Sequence, residues 1–174
     1  MKKNFIPVNE PLIGNEEKKY LMRCIDTNQI SSSGFFVREF EKKFAKKIKR
    51  KYAVSVSNGT AAIQLAFEAL NLKKADEVIV PSLTFVASFQ AISATGAKPV
   101  SCDIHSDTLL MDVGDVQRRW SAKTKAVTPV HCAGNLCGRG ALSVVRSRPG
   151  VRMVEDACQA FVFSVEGTNV GGFV

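Results

Sequence analysis

From residue 52 onward the chain alternates short apolar runs with helical stretches, and no other feature constrains its fold as strongly. Apolar runs at 52–56, 77–80, 98–102, 126–130 and 151–154 read as strands. Between them, 60–70, 85–95, 114–120 and 141–146 carry the spacing of helices. Alternation at this pitch predicts parallel βαβ units, hence an α/β fold with helices on both faces of a sheet, a three-layer sandwich. In such sheets ligands collect beyond the carboxyl ends of the strands. The residues just after each strand are therefore where chemistry is to be sought.

The first 51 residues read differently. A helix is predicted over 15–27, a polar loop over 28–34 and a second helix over 37–51. Phe36, Phe40, Phe44 and Ile48 recur every four residues, with Lys and Arg on the remaining faces. Residues 1–51 hold 13 basic and 6 acidic residues, so nearly all of the net charge of +8 lies in this third. Such a pattern describes an amphipathic helix with a solvated basic side. No RNP-type aromatic signature or Cys/His finger spacing accompanies it, and a nucleic-acid partner is not expected. The expected division is a helical segment over 1–51 and a sheet-bearing unit over 52–174.

At 45% hydrophobic and 23% charged residues, the composition is that of a globular chain. No apolar run approaches the ~18 residues of a membrane-spanning helix, and the start lacks the apolar core of a signal peptide. Five cysteines (Cys24, Cys102, Cys132, Cys137 and Cys158) form no regular framework. Reduced thiols in a cytoplasmic protein are expected. His131, Cys132 and Cys137 fit no zinc spacing, and no metal is expected.

Three predicted strand ends carry the candidate site. Ser57-Asn58-Gly59-Thr60-Ala61-Ala62 is a turn of small residues opening a helix, where backbone N–H groups can cradle a phosphate. The plainer reading is a tight turn with a capped helix start. Pro81-Ser82-Leu83-Thr84-Phe85 places an aromatic near the same rim, where it can cover a flat ring or simply join the core. In Glu155-Asp156-Ala157-Cys158-Gln159-Ala160, two carboxylates end an apolar strand, so at least one must reach the rim or be paired. An acid there can hold a protonated ring nitrogen of a cofactor, or cap a following helix. A ligand with a phosphate, a flat ring and a ring nitrogen would use all three. Pyridoxal 5′-phosphate has these features; a dinucleotide fits less well, because no G-x-G-x-x-G follows the first strand.

Taken in order, these motifs resemble the DegT/DnrJ/EryC1/StrS family of sugar aminotransferases, pyridoxal-phosphate enzymes of the type I aspartate-aminotransferase fold. The resemblance runs from Ile6 to about Phe173 and includes Gln29 through Gly34, Val37 through Glu41 and Pro129 through Gly134. It implies that Gly59, Thr60 and Ala61 hold the cofactor phosphate, that Phe85 stacks on the ring, that Asp156 partners the pyridine nitrogen and that Gln159 lies near the ring hydroxyl. The implied reaction moves an amino group from glutamate to a keto group of a nucleotide-linked sugar. Family active sites form at a homodimer interface.

In the family a Schiff-base lysine follows the Asp motif after a short hairpin, which Glu166 through Phe173 resembles. The last lysine here is Lys125. The expectation is a truncated, inactive chain with an incomplete large domain, no C-terminal small domain and weak or absent cofactor binding. A dehydratase variant, with histidine in place of that lysine, shares the same implied fold. The alternative is a non-catalytic fragment that pairs with a full-length homologue. Two departures from the family pattern lie nearby: Gly138-Arg139-Gly140 should weaken a helix start, and Phe161-Val162-Phe163 brings bulk close to the expected cofactor.

Overall fold

The computed structural model describes residues 5–7, 10–161, 163–165 and 167–173. Three helices come first: α1 (Asn15–Asp26), α2 (Phe35–Lys47) and α3 (Gly59–Ala69). Then follow β1 (Glu77–Pro81), α4 (Val86–Ala94), β2 (Lys98–Cys102), α5 (Val113–Arg119), β3 (Thr124–Val127), α6 (Arg139–Arg146) and β4 (Arg152–Met153). A small antiparallel pair, β5 (Ser164–Val165) and β6 (Thr168–Asn169), closes the described chain.

The four main strands form one parallel sheet in the order β2-β1-β3-β4. Side-chain alternation along β1 separates its two faces. Val78 and Val80 point into a cluster with Ile63 and Phe67 of α3 and with Ala91 and Ile92 of α4. Ile79 points the other way, against Val116 of α5 and Leu142 and Val145 of α6. Ala126 and Val127 of β3 divide between the same two clusters. The result is the expected three-layer α/β sandwich. Val78, Ile79, Val80, Phe67 and Ile92 are fully buried, and burial of side chains this size stabilises the fold by about 1.5–3 kcal/mol each.

Some expected elements differ. Residues 52–56 form no strand. A strand needs a partner for its backbone groups, and no described strand or bridge pairs with this segment. Glu41 of α2 instead accepts from the Ser55 N–H (2.9 Å) and from its hydroxyl (3.0 Å). Tyr52 and Val54 remain exposed. The second helix begins two residues earlier than expected and stops at Lys47, because Lys49 takes a left-handed conformation (φ 57°). The last main strand shrinks to two residues, although a further parallel bridge joins Val130 to Asp156. α6 forms despite its flanking glycines, with Gly138 at its N-cap and no side-chain cap.

α1 buries none of its residues. Among the described residues no helix is long and apolar enough to cross a membrane. Glu166, which opens the hairpin read from the sequence, and Val162 lie outside the described residues.

Candidate active site

The site lies where the N-termini of α3 and α4 meet the carboxyl end of the sheet. At α3, Asn58 is the N-cap and its Oδ1 accepts from the Ala61 N–H at 2.9 Å. This leaves the N–H groups of Gly59 and Thr60, the first two residues of the helix, which an α-helix cannot satisfy internally. The Ala61 amide is committed to the cap, so at this end Gly59 and Thr60 present the open donors. The helix dipole adds partial positive charge at the same point.

Gly59 is required by close approach. A Cβ there would stand 2.6 Å from the Cys158 Sγ, well inside contact distance. Gly59→Ala is expected to destabilise the protein by about 1–3 kcal/mol, as overpacking does. Denaturant unfolding checks this, and the double variant with Cys158→Ala should recover most of the loss if the thiol is the obstacle.

Asp156 reaches the rim through the sheet. Its N–H donates to the Pro129 carbonyl (2.9 Å), and its own carbonyl accepts from the His131 N–H (3.1 Å). The side chain is buried, at 5% exposure. Oδ2 accepts from the Ser88 hydroxyl at 2.7 Å and Oδ1 from the Cys158 N–H at 3.2 Å. The second contact is the local turn that an Asp in this position favours, but no helix follows it.

Glu155, the neighbouring carboxylate, turns away from the rim. Its Oε2 accepts from the Gly171 N–H (3.0 Å) and lies 3.2 Å from the His131 Nε2, and its Oε1 accepts from the Phe173 N–H (3.0 Å). The His131 Nδ1 accepts from the Cys137 N–H at 3.1 Å. A proton on Nδ1 would face that N–H, so the geometry selects the tautomer whose Nε2–H donates to Glu155. The adjacent acids thus divide: Asp156 faces the cavity and Glu155 fastens residues 171–173 beneath the strand end.

One cavity of about 330 Å³ collects Gly59, Thr60, Phe85, Asp156 and Gln159, together with Asn58, Ile63, Ala87 and Cys158. Its volume lies at the lower end of the range for small-molecule pockets. Of the six residues the family resemblance assigns to the cofactor, all but Ala61 line it. Phe85, the N-cap of α4, is 67% exposed at its mouth. Gln159 has its Oε1 taken by the Ala133 N–H (2.8 Å), which braces a left-handed turn at Ala133 (φ 51°) and Gly134 (φ 83°). Its side-chain NH₂ keeps donor capacity.

Phe161 and Phe163 do not line this cavity. Phe161 instead stacks on Phe44 of α2, centroids 5.3 Å apart and rings nearly parallel. Phe163 lies near Gly134. Neither ring crowds the cavity, and both stay about half exposed.

Sequence reasoning missed Ser88, the cap role of Asn58 and the partners of Glu155. The spacing of Thr84 and Ser88, one helical turn apart, was an available signal for the first. Cys158 is exposed, yet desolvation of its thiol and the nearby Asp156 carboxylate push its pKa up to about 11. Iodoacetamide at pH 8 should therefore alkylate Cys158 on the order of 100-fold more slowly than an unperturbed thiol. Peptide mapping over a time course reads that rate.

A model of the DegT/DnrJ/EryC1/StrS aminotransferase family matches residues 11–174. The chain belongs to this family. It is 43% identical over 168 residues to GDP-perosamine synthase of Vibrio cholerae, covering 97% of this chain and 46% of that protein. The aminotransferase of Psychrobacter cryohalolentis superposes with a TM-score of 0.87 at 31% identity, over 92% of this chain and 41% of that one. The E. coli GDP-4-keto-6-deoxy-D-mannose-3-dehydratase, solved with bound hydrated PLP, gives 0.87 at 26% identity, over 95% and 44%. This family member spans under half the length of the relatives it matches. Its fold is that of type I pyridoxal-phosphate-dependent aminotransferases, represented in part.

Proposed function

We propose that this chain forms the phosphate and ring-nitrogen side of a pyridoxal 5′-phosphate site in an aminotransferase that takes glutamate as amino donor and a keto group on a nucleotide-linked sugar as acceptor. The observation that carries the reading is the convergence of Gly59, Thr60, Phe85, Asp156 and Gln159 on one cavity.

The residues fit the group chemically. The open N–H groups at the start of α3 suit a phosphate, and Gly59 lets the backbone come close where a Cβ would already collide with Cys158. Asp156 suits a protonated ring nitrogen, because a buried carboxylate calls for a cationic donor. Phe85 offers an exposed aromatic face at the mouth. The cofactor, when bound, supplies a ring that takes up electrons released at the substrate carbon. For that, Asp156 keeps the proton on the ring nitrogen, Phe85 holds the ring plane, and Gly59 with Thr60 anchors the phosphate end. Gln159 donates toward the ring edge from its NH₂ group.

Among the described residues no lysine lines the cavity, so the proposal concerns non-covalent contacts. Titration with pyridoxal 5′-phosphate should show saturable binding that Thr60→Pro and Gly59→Val abolish. Borohydride reduction should then give no adduct at a single lysine. Absence of saturable binding, or one specific lysine adduct, would overturn the reading.

A second reading, a non-catalytic chain that pairs with a full-length homologue, is favoured by the N-terminal surface. α1 buries nothing and exposes Tyr20, Leu21 and Ile25 (48–63%), and Leu12 and Ile13 before it are also exposed. Co-purification with a full-length family member, lost when Leu21 and Ile25 become Glu, would support it. A monodisperse single chain would count against it.

A further inference from the structure

We infer that Ser88 is a positioning residue that keeps the shared proton on the ring nitrogen rather than on Asp156. The inference rests on the cofactor reading above and deepens it.

Ser88 sits in the first turn of α4, is fully buried and donates to the Asp156 Oδ2 at 2.7 Å. The Thr84 Oγ1 lies 2.9 Å from the Ser88 Oγ. A carboxylate only accepts, so the single Ser88 proton goes to Asp156, and the Thr84 hydroxyl must then be the donor to Ser88. The chain therefore has one direction: Thr84 to Ser88 to Asp156. Successive hydrogen bonds of this kind polarise one another and strengthen the last.

Two consequences follow for Asp156. Its carboxylate plane is fixed from both sides, by Ser88 at Oδ2 and by the Cys158 N–H at Oδ1. The Oδ1 contact is the longer, at 3.2 Å, so Oδ1 keeps the greater capacity for a further donor. The second consequence concerns the proton. When a carboxylate and a ring nitrogen share one proton, a hydrogen bond to the charged carboxylate favours the ionic arrangement, with the proton on nitrogen. Removing the Ser88 hydroxyl leaves Asp156 buried with one fewer donor, and the proton moves toward the oxygen. Ser88 acts through Asp156 and need not touch the cofactor.

The test uses pyridoxamine 5′-phosphate labelled with ¹⁵N in the ring, bound to the full chain at one neutral pH. The ¹⁵N resonance distinguishes a protonated ring nitrogen from a free one. The unaltered chain should hold the ring protonated. Ser88→Ala should shift the ratio of protonated to free ring by about 10-fold toward the free form, the size expected for one charge-assisted hydrogen bond. Thr84→Val, at a half-buried position, should move it the same way by less, and serves if Ser88→Ala does not fold. A protonated ring that is unchanged in both variants overturns the role of Ser88 and leaves the cofactor reading standing. A free ring, or no binding, in the unaltered chain overturns both.

Discussion

Removing the Glu155 carboxylate with Glu155→Ala is expected to cost about 3–5 kcal/mol of stability. The carboxylate is 2% exposed and accepts from the His131 ring and from the Gly171 and Phe173 amides. Truncation leaves three donors without an acceptor in a site that water scarcely reaches, and it opens a cavity against His131, which has no exposed surface. Globular proteins hold only about 5–15 kcal/mol in total, so the denaturation midpoint should fall steeply or the protein should fail to accumulate. Glu155→Gln should fall between, since one of its oxygens becomes an NH₂ facing a donor. A loss under about 1 kcal/mol for Glu155→Ala would show that the segment is held by its apolar contacts, chiefly Val170 and Phe173, rather than by the carboxylate.

Asp156→Asn carries the other large effect, on ligand rather than on fold. The amide keeps an oxygen for the Cys158 N–H and an NH₂ that the Ser88 oxygen can accept, so stability should change by less than about 1 kcal/mol. It removes the negative charge opposite a protonated ring. A hydrogen bond to a charged partner contributes about 1.5–3 kcal/mol, so affinity for pyridoxal 5′-phosphate should drop by roughly 10- to 100-fold. Equilibrium titration followed by absorbance measures this directly. Equal affinity in both proteins would remove Asp156 from the ring-nitrogen role. The two variants are expected to separate the adjacent acids, Glu155→Ala acting on folding and Asp156→Asn on binding.

Most of the sandwich was legible because its signals are local. The runs at 77–80 and 98–102 are short, centred on valine or isoleucine and flanked by helical spacing, and both became strands of the parallel sheet. The turn at Asn58-Gly59-Thr60 announces a helix start by residue type alone, and α3 begins there. Residues 52–56 show where local signal fails. Their composition favours a strand, but a strand also requires an unpaired neighbour, and the Glu41 carboxylate takes the Ser55 amide instead.

For the candidate site, sequence could nominate groups but not assign their directions. Glu155 and Asp156 stand side by side, and nothing in their order says which faces the rim. The tertiary structure decided it through contacts distant in sequence: Ser88 lies 68 residues before Asp156, while Phe173 lies 18 residues after Glu155.

By itself, then, the sequence determined the fold class, the order of its layers and the residue types at the strand ends, because periodicity and turn chemistry act over a few neighbours. Only the tertiary structure decided which acid lines the cavity, which amides the Asn58 cap leaves open and why a side chain at Gly59 would meet the Cys158 thiol. Those outcomes depend on where buried donors and acceptors meet, and a buried polar group takes whichever partner the packing of distant segments brings within reach.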